Sequence, residues 1–304
     1  MQFPKNIEAW DGKRIDVRCW LPAAGPRAVV HLLHGLGEHS DRYERFAAAA
    51  TEAGLAVVAH DHRGHGTGSD SATYGHFADS GGWDTVLADV ESVQREIRAR
   101  SNGLPTILFG HSMGSYIAQH FVMKHAENIA MLILSGSTYA DRGQLRAGHL
   151  FAGLLGTFSG WRRRSALLER MGFGAFNRRF EPARTKYDWL SRDAAEVDRY
   201  IADPHCGGPF TNRLWYDLTG GLLAITSRDA VQRVPLSLPI LIFGGADDPV
   251  GGAKGQSRLA AVYTDSGHTD VTLEIYDGGR HEMLNETNRD DVTRDVLAWI
   301  NARL

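Results

Sequence analysis

The stretch Thr106-Ile-Leu-Phe-Gly-His-Ser-Met-Gly-Ser-Tyr-Ile-Ala-Gln-His-Phe-Val-Met-Lys-His125 decides the architecture. It opens with a short apolar run, Thr106 to Phe109, of the kind that forms a strand buried on both faces. It closes with a helical stretch, Met113 to His125. Between them Gly110-His-Ser-Met-Gly114 leaves room only for a sharp strand-to-helix turn. Small residues must flank Ser112 in such a turn, and the hydroxyl is held clear of the sheet. The amino end of the following helix points its dipole at that hydroxyl, which favours negative charge developing there. Ser112 is the candidate nucleophile.

Outward from this unit the same alternation recurs. Ala28-Val-Val-His-Leu-Leu33, Leu55-Ala-Val-Val-Ala59, Ile129-Ala-Met-Leu-Ile-Leu134, Ile240-Leu-Ile-Phe243 and Val271-Thr-Leu-Glu-Ile-Tyr276 read as strands. Arg42 to Ala53, Trp83 to Arg100 and Asp291 to Leu304 read as helices with one apolar stripe. Arg14 to Leu21 alternates polar and apolar residues, so the chain opens with antiparallel strand. Strand and helix in turn imply an α/β fold with a mostly parallel sheet. The alternation stops after Leu134, and Tyr139 to Arg233 is rich in Arg, Gly, Leu and aromatic residues. The expected division is core over 1–138, a helical cap over 139–233 and core again over 234–304.

Composition bounds the partners. The chain has 304 residues, 43% of them hydrophobic, enough for one buried core with an insertion. A formal net charge of -3 supplies no field to gather nucleic acid. Two cysteines, Cys19 and Cys206, make no disulfide framework and read as ordinary thiols of a reducing compartment. Met1 to Trp10 carries Pro4, Lys5, Asn6 and Glu8 where an export signal needs an apolar core. The expectation is a soluble, cytoplasmic protein.

A serine nucleophile needs a base, placed after it in the chain at the same sheet edge. His281, in Asp277-Gly-Gly-Arg-His-Glu-Met-Leu-Asn285 after the last strand, fits that position. The acid that orients it should follow the preceding strand, where Phe243-Gly-Gly-Ala-Asp-Asp-Pro-Val250 offers two neighbours. Asp248 is preferred because Pro249 fixes the turn beside it. Asp247 is the alternate, and Asp141 a more distant one. The oxyanion of acyl transfer needs two converging backbone N–H groups. Met113 supplies one, and Leu36, in the glycine-rich turn His34-Gly-Leu-Gly-Glu-His39, the other.

His34-Gly-Leu-Gly-Glu-His-Ser40, Asp61-His-Arg-Gly-His-Gly66, Gly110-His-Ser-Met-Gly114, Gly245-Ala-Asp-Asp-Pro-Val250 and Arg280-His-Glu282 together resemble the monoacylglycerol lipase and lysophospholipase branch of the α/β hydrolases. The resemblance runs from about Val29 to the carboxyl terminus. It implies an eight-stranded sheet flanked by helices, an inserted helical cap, and hydrolysis of an ester joining one acyl chain to a polar head. It also implies a triad of Ser112, Asp248 and His281, with Leu36 and Met113 at the oxyanion hole and no cofactor.

The cap segment contains Leu150, Phe151, Leu154, Leu155, Phe158, Trp161, Phe173 and Phe176. These line an acyl tunnel, touch a membrane surface transiently, or form the cap's own core. Arg162-Arg163-Arg164 and Arg178-Arg179 hold an anionic head or are simply solvated. His60, His62, His65 and His76 lack metal-ligand spacing, so no metal is expected. Gly64-His-Gly-Thr-Gly68 is followed by Ser69 where a dinucleotide fingerprint needs its third glycine. Ser115 stands where a Ser-x-x-Lys motif needs lysine. A short-chain carboxylesterase, or a peptidase or acyltransferase on the same triad, remains the alternative reading.

Overall fold

A computed structural model describes residues 3–304. Met1 and Gln2, the start of the segment read for export signals, lie outside the described residues. Eight strands form one sheet: β1 (Asn6–Glu8), β2 (Arg14–Trp20), β3 (Ala28–Leu33), β4 (Leu55–His60), β5 (Thr106–His111), β6 (Met131–Ser135), β7 (Ile240–Gly245) and β8 (Val271–Tyr276). Their order is β1-β2-β4-β3-β5-β6-β7-β8. β2 pairs antiparallel with β1 and with β4, and every other pairing is parallel.

The helices are α1 (Glu44–Glu52), α2 (Gly82–Ser101), α3 (Met113–His125), α4 (Arg142–Ser159), α5 (Ala166–Phe173), α6 (Ala194–Ala202), α7 (Asn212–Ile225), α8 (Arg228–Val231), α9 (Gly252–Asp265) and α10 (Arg289–Asn301). The continuous apolar runs are explained by helices on both faces of the sheet, because successive side chains of a strand point to opposite faces. Leu108, Leu132, Leu134, Ile240 and Ile242 join the core with α2, α3 and α9. Their neighbours Ile107, Phe109, Met131, Ile133, Leu241 and Phe243 join the opposite core with α1 and α10.

The fold is the α/β architecture expected from the sequence. Two elements were not expected. β1 is a three-residue edge strand, too short to show a pattern. α9 begins among Gly251, Gly252 and Gly255, residues of poor helix propensity. It stands because Leu259, Ala260 and Tyr263 are buried against the sheet domain. Helices α4 to α8 all lie between β6 and β7 in the chain; residues of α4, α5, α6 and α7 cover the cavity at the carboxyl ends of the strands, and α7 packs on α2 and α3. Among the described residues no helix is long and apolar enough to cross a membrane.

Candidate active site

The loops at the carboxyl ends of β3, β5, β7 and β8 converge beneath the cap. Ser112 is the residue between β5 and α3. It has φ 51° and ψ −119°, a left-handed backbone that costs a non-glycine residue energy and is held by its surroundings. Its N–H donates to Ser135 O at 2.9 Å, across the pairing of β5 with β6. The flanking glycines are obligatory: a Cβ on Gly110 would lie 2.3 Å from Gly114 O, and one on Gly114 would lie 2.1 Å from Leu33 O.

His281, in the loop after β8, faces Asp248, in the loop after β7. Its Nδ1 lies 3.0 Å from each carboxylate oxygen of Asp248. Both residues are buried, at 3% and 2% exposure, so the pair is shielded from water. Val250 N–H donates to Asp248 Oδ1 at 2.9 Å and fixes the carboxylate in the turn made by Pro249. Asp247 points away, to Arg179 at the surface, and Asp141 caps α4 by accepting from Gln144 N–H. The structure therefore brings Asp248 to the imidazole, and neither of the other two acids. Burial disfavours a charged His281, but the Asp248 charge and hydrogen bond, with Glu282 and Glu38 beyond, outweigh it and raise the pKa above the ordinary imidazole value. His111, whose ring lies 4.8 Å from that of His281, is held down at about 4 by burial and by His281 itself. Ser112 and His281 line one cavity with no hydrogen bond between them, a contact commonly looser in a free enzyme than in its complexes.

His34 Nε2 accepts from His62 N–H at 2.9 Å, so its Nδ1 carries the proton and donates to Gly35 O at 2.7 Å. Burial keeps that imidazole below its ordinary pKa, and hence neutral. Because C=O and N–H point opposite ways across a trans peptide, fixing Gly35 O against His34 turns the Leu36 N–H the other way. Leu36 and Met113 both line the cavity, and neither N–H has a protein acceptor among the described residues. Gly35 N–H donates to Glu38 Oε1 at 2.6 Å, while Gly37 O accepts from Gly207 N–H and from Tyr200 OH, each at 2.8 Å.

Sequence reading missed the residues that join these loops. Arg42 donates to Glu38 Oε2 at 2.8 Å and to both oxygens of Glu282 at 2.6 and 2.7 Å, tying the β3 loop to the loop of His281. Tyr43 OH adds a bond to Glu38 Oε1 at 2.7 Å. Burial penalises the Glu38 carboxylate, but the Arg42 charge and the Tyr43 hydrogen bond hold it ionised, at about 2. The only mark of these residues in the sequence is that Glu38 and Glu282 lie inside the motifs His34–Ser40 and Arg280–Glu282. Trp189 of the cap packs over the His281 ring at 5.1 Å, and Leu190 O accepts from Glu282 N–H at 2.8 Å.

Above Ser112 is a cavity of about 370 Å³ walled by Leu36, Leu145, Phe173, Phe176, Trp189, Leu190, Phe210, Trp215, Leu218 and Leu222. The cap's apolar residues thus divide. Phe173 and Phe176 face the cavity, Phe151 and Leu155 pack on the core, and Leu150, Leu154 and Phe158 are exposed, Phe158 at 85%. Several cap arginines join cap to core: Arg162 pairs with Asp79, Arg164 donates to Ser71 O and Tyr74 O, and Arg179 pairs with Asp247.

A sheet of this order, with a serine at the strand–helix turn after β5 and an acid and histidine after β7 and β8, defines a serine hydrolase of the α/β-hydrolase class. The chain belongs to the Hydrolase_4 family (Serine aminopeptidase, S33), whose model matches residues 24–288. It is 31% identical to a monoacylglycerol lipase of Mycolicibacterium smegmatis, covering 96% of this chain and 95% of that one. It is 27% identical to the human monoglyceride lipase, covering 99% and 91%. Among solved structures, a thermostable carboxyl esterase from Bacillus coagulans in complex with glycerol superposes with a TM-score of 0.91 at 29% identity, covering 98% and 97%. The branch resemblance read from the motifs is borne out.

Proposed function

We propose that the protein hydrolyses carboxylic esters joining one fatty acyl chain to a small polar head, monoacylglycerols foremost, through an acyl-enzyme on Ser112. The observation that carries this reading is the largely apolar cavity lined by Ser112 and His281, of a size suited to a single chain. Gln144, Glu169 and Thr219 line the same cavity and offer a glycerol head hydrogen-bond partners. The names of the Mycolicibacterium and human relatives support the same substrate.

In this reading His281 takes the Ser112 proton as Oγ attacks the ester carbonyl. Asp248 holds the imidazole by Nδ1 and stabilises its cation. The N–H groups of Leu36 and Met113 bind the oxyanion. His281 then gives its proton to the departing alkoxide, and water hydrolyses the acyl-serine by the same steps. The segment 139–233 acts as a cap between the core segments 1–138 and 234–304. Its exposed Leu150, Leu154 and Phe158, four residues apart on α4, would rest transiently on lipid aggregates. The enzyme would work in the cytoplasm.

Hydrolysis of p-nitrophenyl esters of graded length, a monoacylglycerol, a lysophospholipid and an amino-acid anilide by wild type and Ser112→Ala tests this. Serine-dependent turnover that peaks with the monoacylglycerol is expected. Turnover confined to short esters would make the protein a general carboxylesterase, the reading favoured by its likeness to the Bacillus enzyme. Cleavage of the anilide alone would make it a peptidase.

A further inference from the structure

Outside the catalytic cavity, one nitrogen of His39, one carboxylate oxygen of Asp203 and Sγ of Cys206 all lie within 4.8 Å of one another. His39 belongs to the core loop after β3; Asp203 and Cys206 belong to the cap segment after α6. We propose that these three residues form a binding site for a thiophilic divalent cation of the zinc class, which clamps the cap to the loop that carries Leu36.

The donor set is the first argument. One imidazole nitrogen, one carboxylate oxygen and one thiolate suit zinc, whereas magnesium and calcium take oxygen ligands. Bond lengths of about 2.0–2.3 Å put the donors of a tetrahedral zinc site roughly 3.3–3.6 Å apart. His39 Nε2 and Asp203 Oδ2 are now 2.8 Å apart, joined by a hydrogen bond. The ion takes the place of that proton, which passes to the unpartnered Nδ1 as the ring changes tautomer; the pair opens by about half an ångström and Cys206 Sγ is drawn inward. The thiol proton leaves to solvent, so affinity weakens as pH falls.

The surroundings are the second argument. His39 is 7% exposed at its side chain, and its Nδ1 is buried with no partner, 4.0 Å from Asp41 Oδ2. A carboxylate behind the distal nitrogen is the usual support of a metal-bound histidine. Three protein donors leave the fourth position of a tetrahedral ion to water. The cations close by are each engaged elsewhere: Arg42 by Glu38 and Glu282, Arg45 and Arg199 by Glu196, and Arg18 by Asp41.

The consequence follows from chain connectivity. Gly207, next to Cys206, donates to Gly37 O, and Gly37 follows Leu36. An ion joining His39 to Cys206 therefore reinforces the contact that holds the oxyanion loop under the cap.

Equilibrium dialysis of the chelator-treated full chain against zinc, with the absorption spectrum of its cobalt(II) form, tests this. One zinc per chain is expected, with a thiolate-to-cobalt charge-transfer band, both retained in His281→Ala. Cys206→Ser and His39→Gln should each weaken zinc binding by more than about 100-fold. Zinc should raise the melting temperature of wild type but of neither variant, each shown folded by circular dichroism. Absence of stoichiometric binding, a cobalt spectrum without the thiolate band, or binding that survives both substitutions would overturn the site.

Discussion

Asp247 and Asp248 are neighbours in the chain and opposite in surroundings: one pairs with Arg179 at the surface, the other is buried against His281 Nδ1. Asp248→Asn should lower kcat by about 10⁴-fold, because the imidazole loses its tautomer and its counter-charge. Asp247→Asn should change kcat less than about threefold, since an exposed ion pair contributes little. Steady-state kinetics of the two variants checks this, and the reverse ranking would contradict it. The serine and histidine were legible because strand order and chain order leave them few places to be. The choice between the aspartates was not, because it depends on which carboxylate the Pro249 turn buries. The raised pKa of His281 fixes the pH response. The base must be neutral to accept a proton, and a raised pKa keeps it protonated to higher pH. Activity should therefore fall as pH drops through a value above about 6.5, the ordinary imidazole pKa. In Asp248→Asn the acid limb of kcat/KM should move to lower pH. A wild-type limb at or below the ordinary value would contradict the assignment.

Among the elements, strands were legible as far as burial on both faces wrote them as apolar runs, and β3, β8 and α3 have the bounds read from sequence. α9 was not, since its support is the packing of Leu259 and Tyr263 rather than its own propensity. The joints between elements were hidden for a similar reason: Arg42 and Glu282 meet across 240 positions of chain. Removing Arg42 leaves Glu38 and Glu282 buried without a counter-charge. Arg42→Ala should lose on the order of 3–5 kcal/mol of stability. Arg42→Lys, which keeps the charge but not the two-pronged bond, should retain more of the fold while lowering kcat as the β3 loop loosens. Denaturant unfolding and kinetics of the pair separate the two effects, and a fully active, fully stable Arg42→Ala would remove the role.

On the scale of the whole molecule, the buried histidines govern the response to acid. His31, His60, His62 and His65 are held neutral, His60 and His65 at about 3, by burial first and then by neighbouring imidazoles. The unfolded chain binds protons on them below about 6.5 and the native state does not, so stability falls as pH falls from that value toward 3. Each contributes on the order of 1 kcal/mol per pH unit across that window. His281, with a raised pKa, works in the opposite direction, but singly. The melting temperature should drop steeply between pH 7 and pH 5. His62→Leu, which forfeits no hydrogen bond because neither ring nitrogen has a partner, should flatten the slope. An unchanged slope would place the acid sensitivity elsewhere. The composition shows fourteen histidines but not which of them are buried together.

The central claim is that Ser112 is the activated nucleophile, and intact-mass and peptide analysis after reaction with a fluorophosphonate tests it most directly. One phosphonyl adduct per chain is predicted, on the peptide that carries Ser112, absent in Ser112→Ala and formed far more slowly in His281→Ala. No adduct, or labelling that persists in Ser112→Ala, would contradict it.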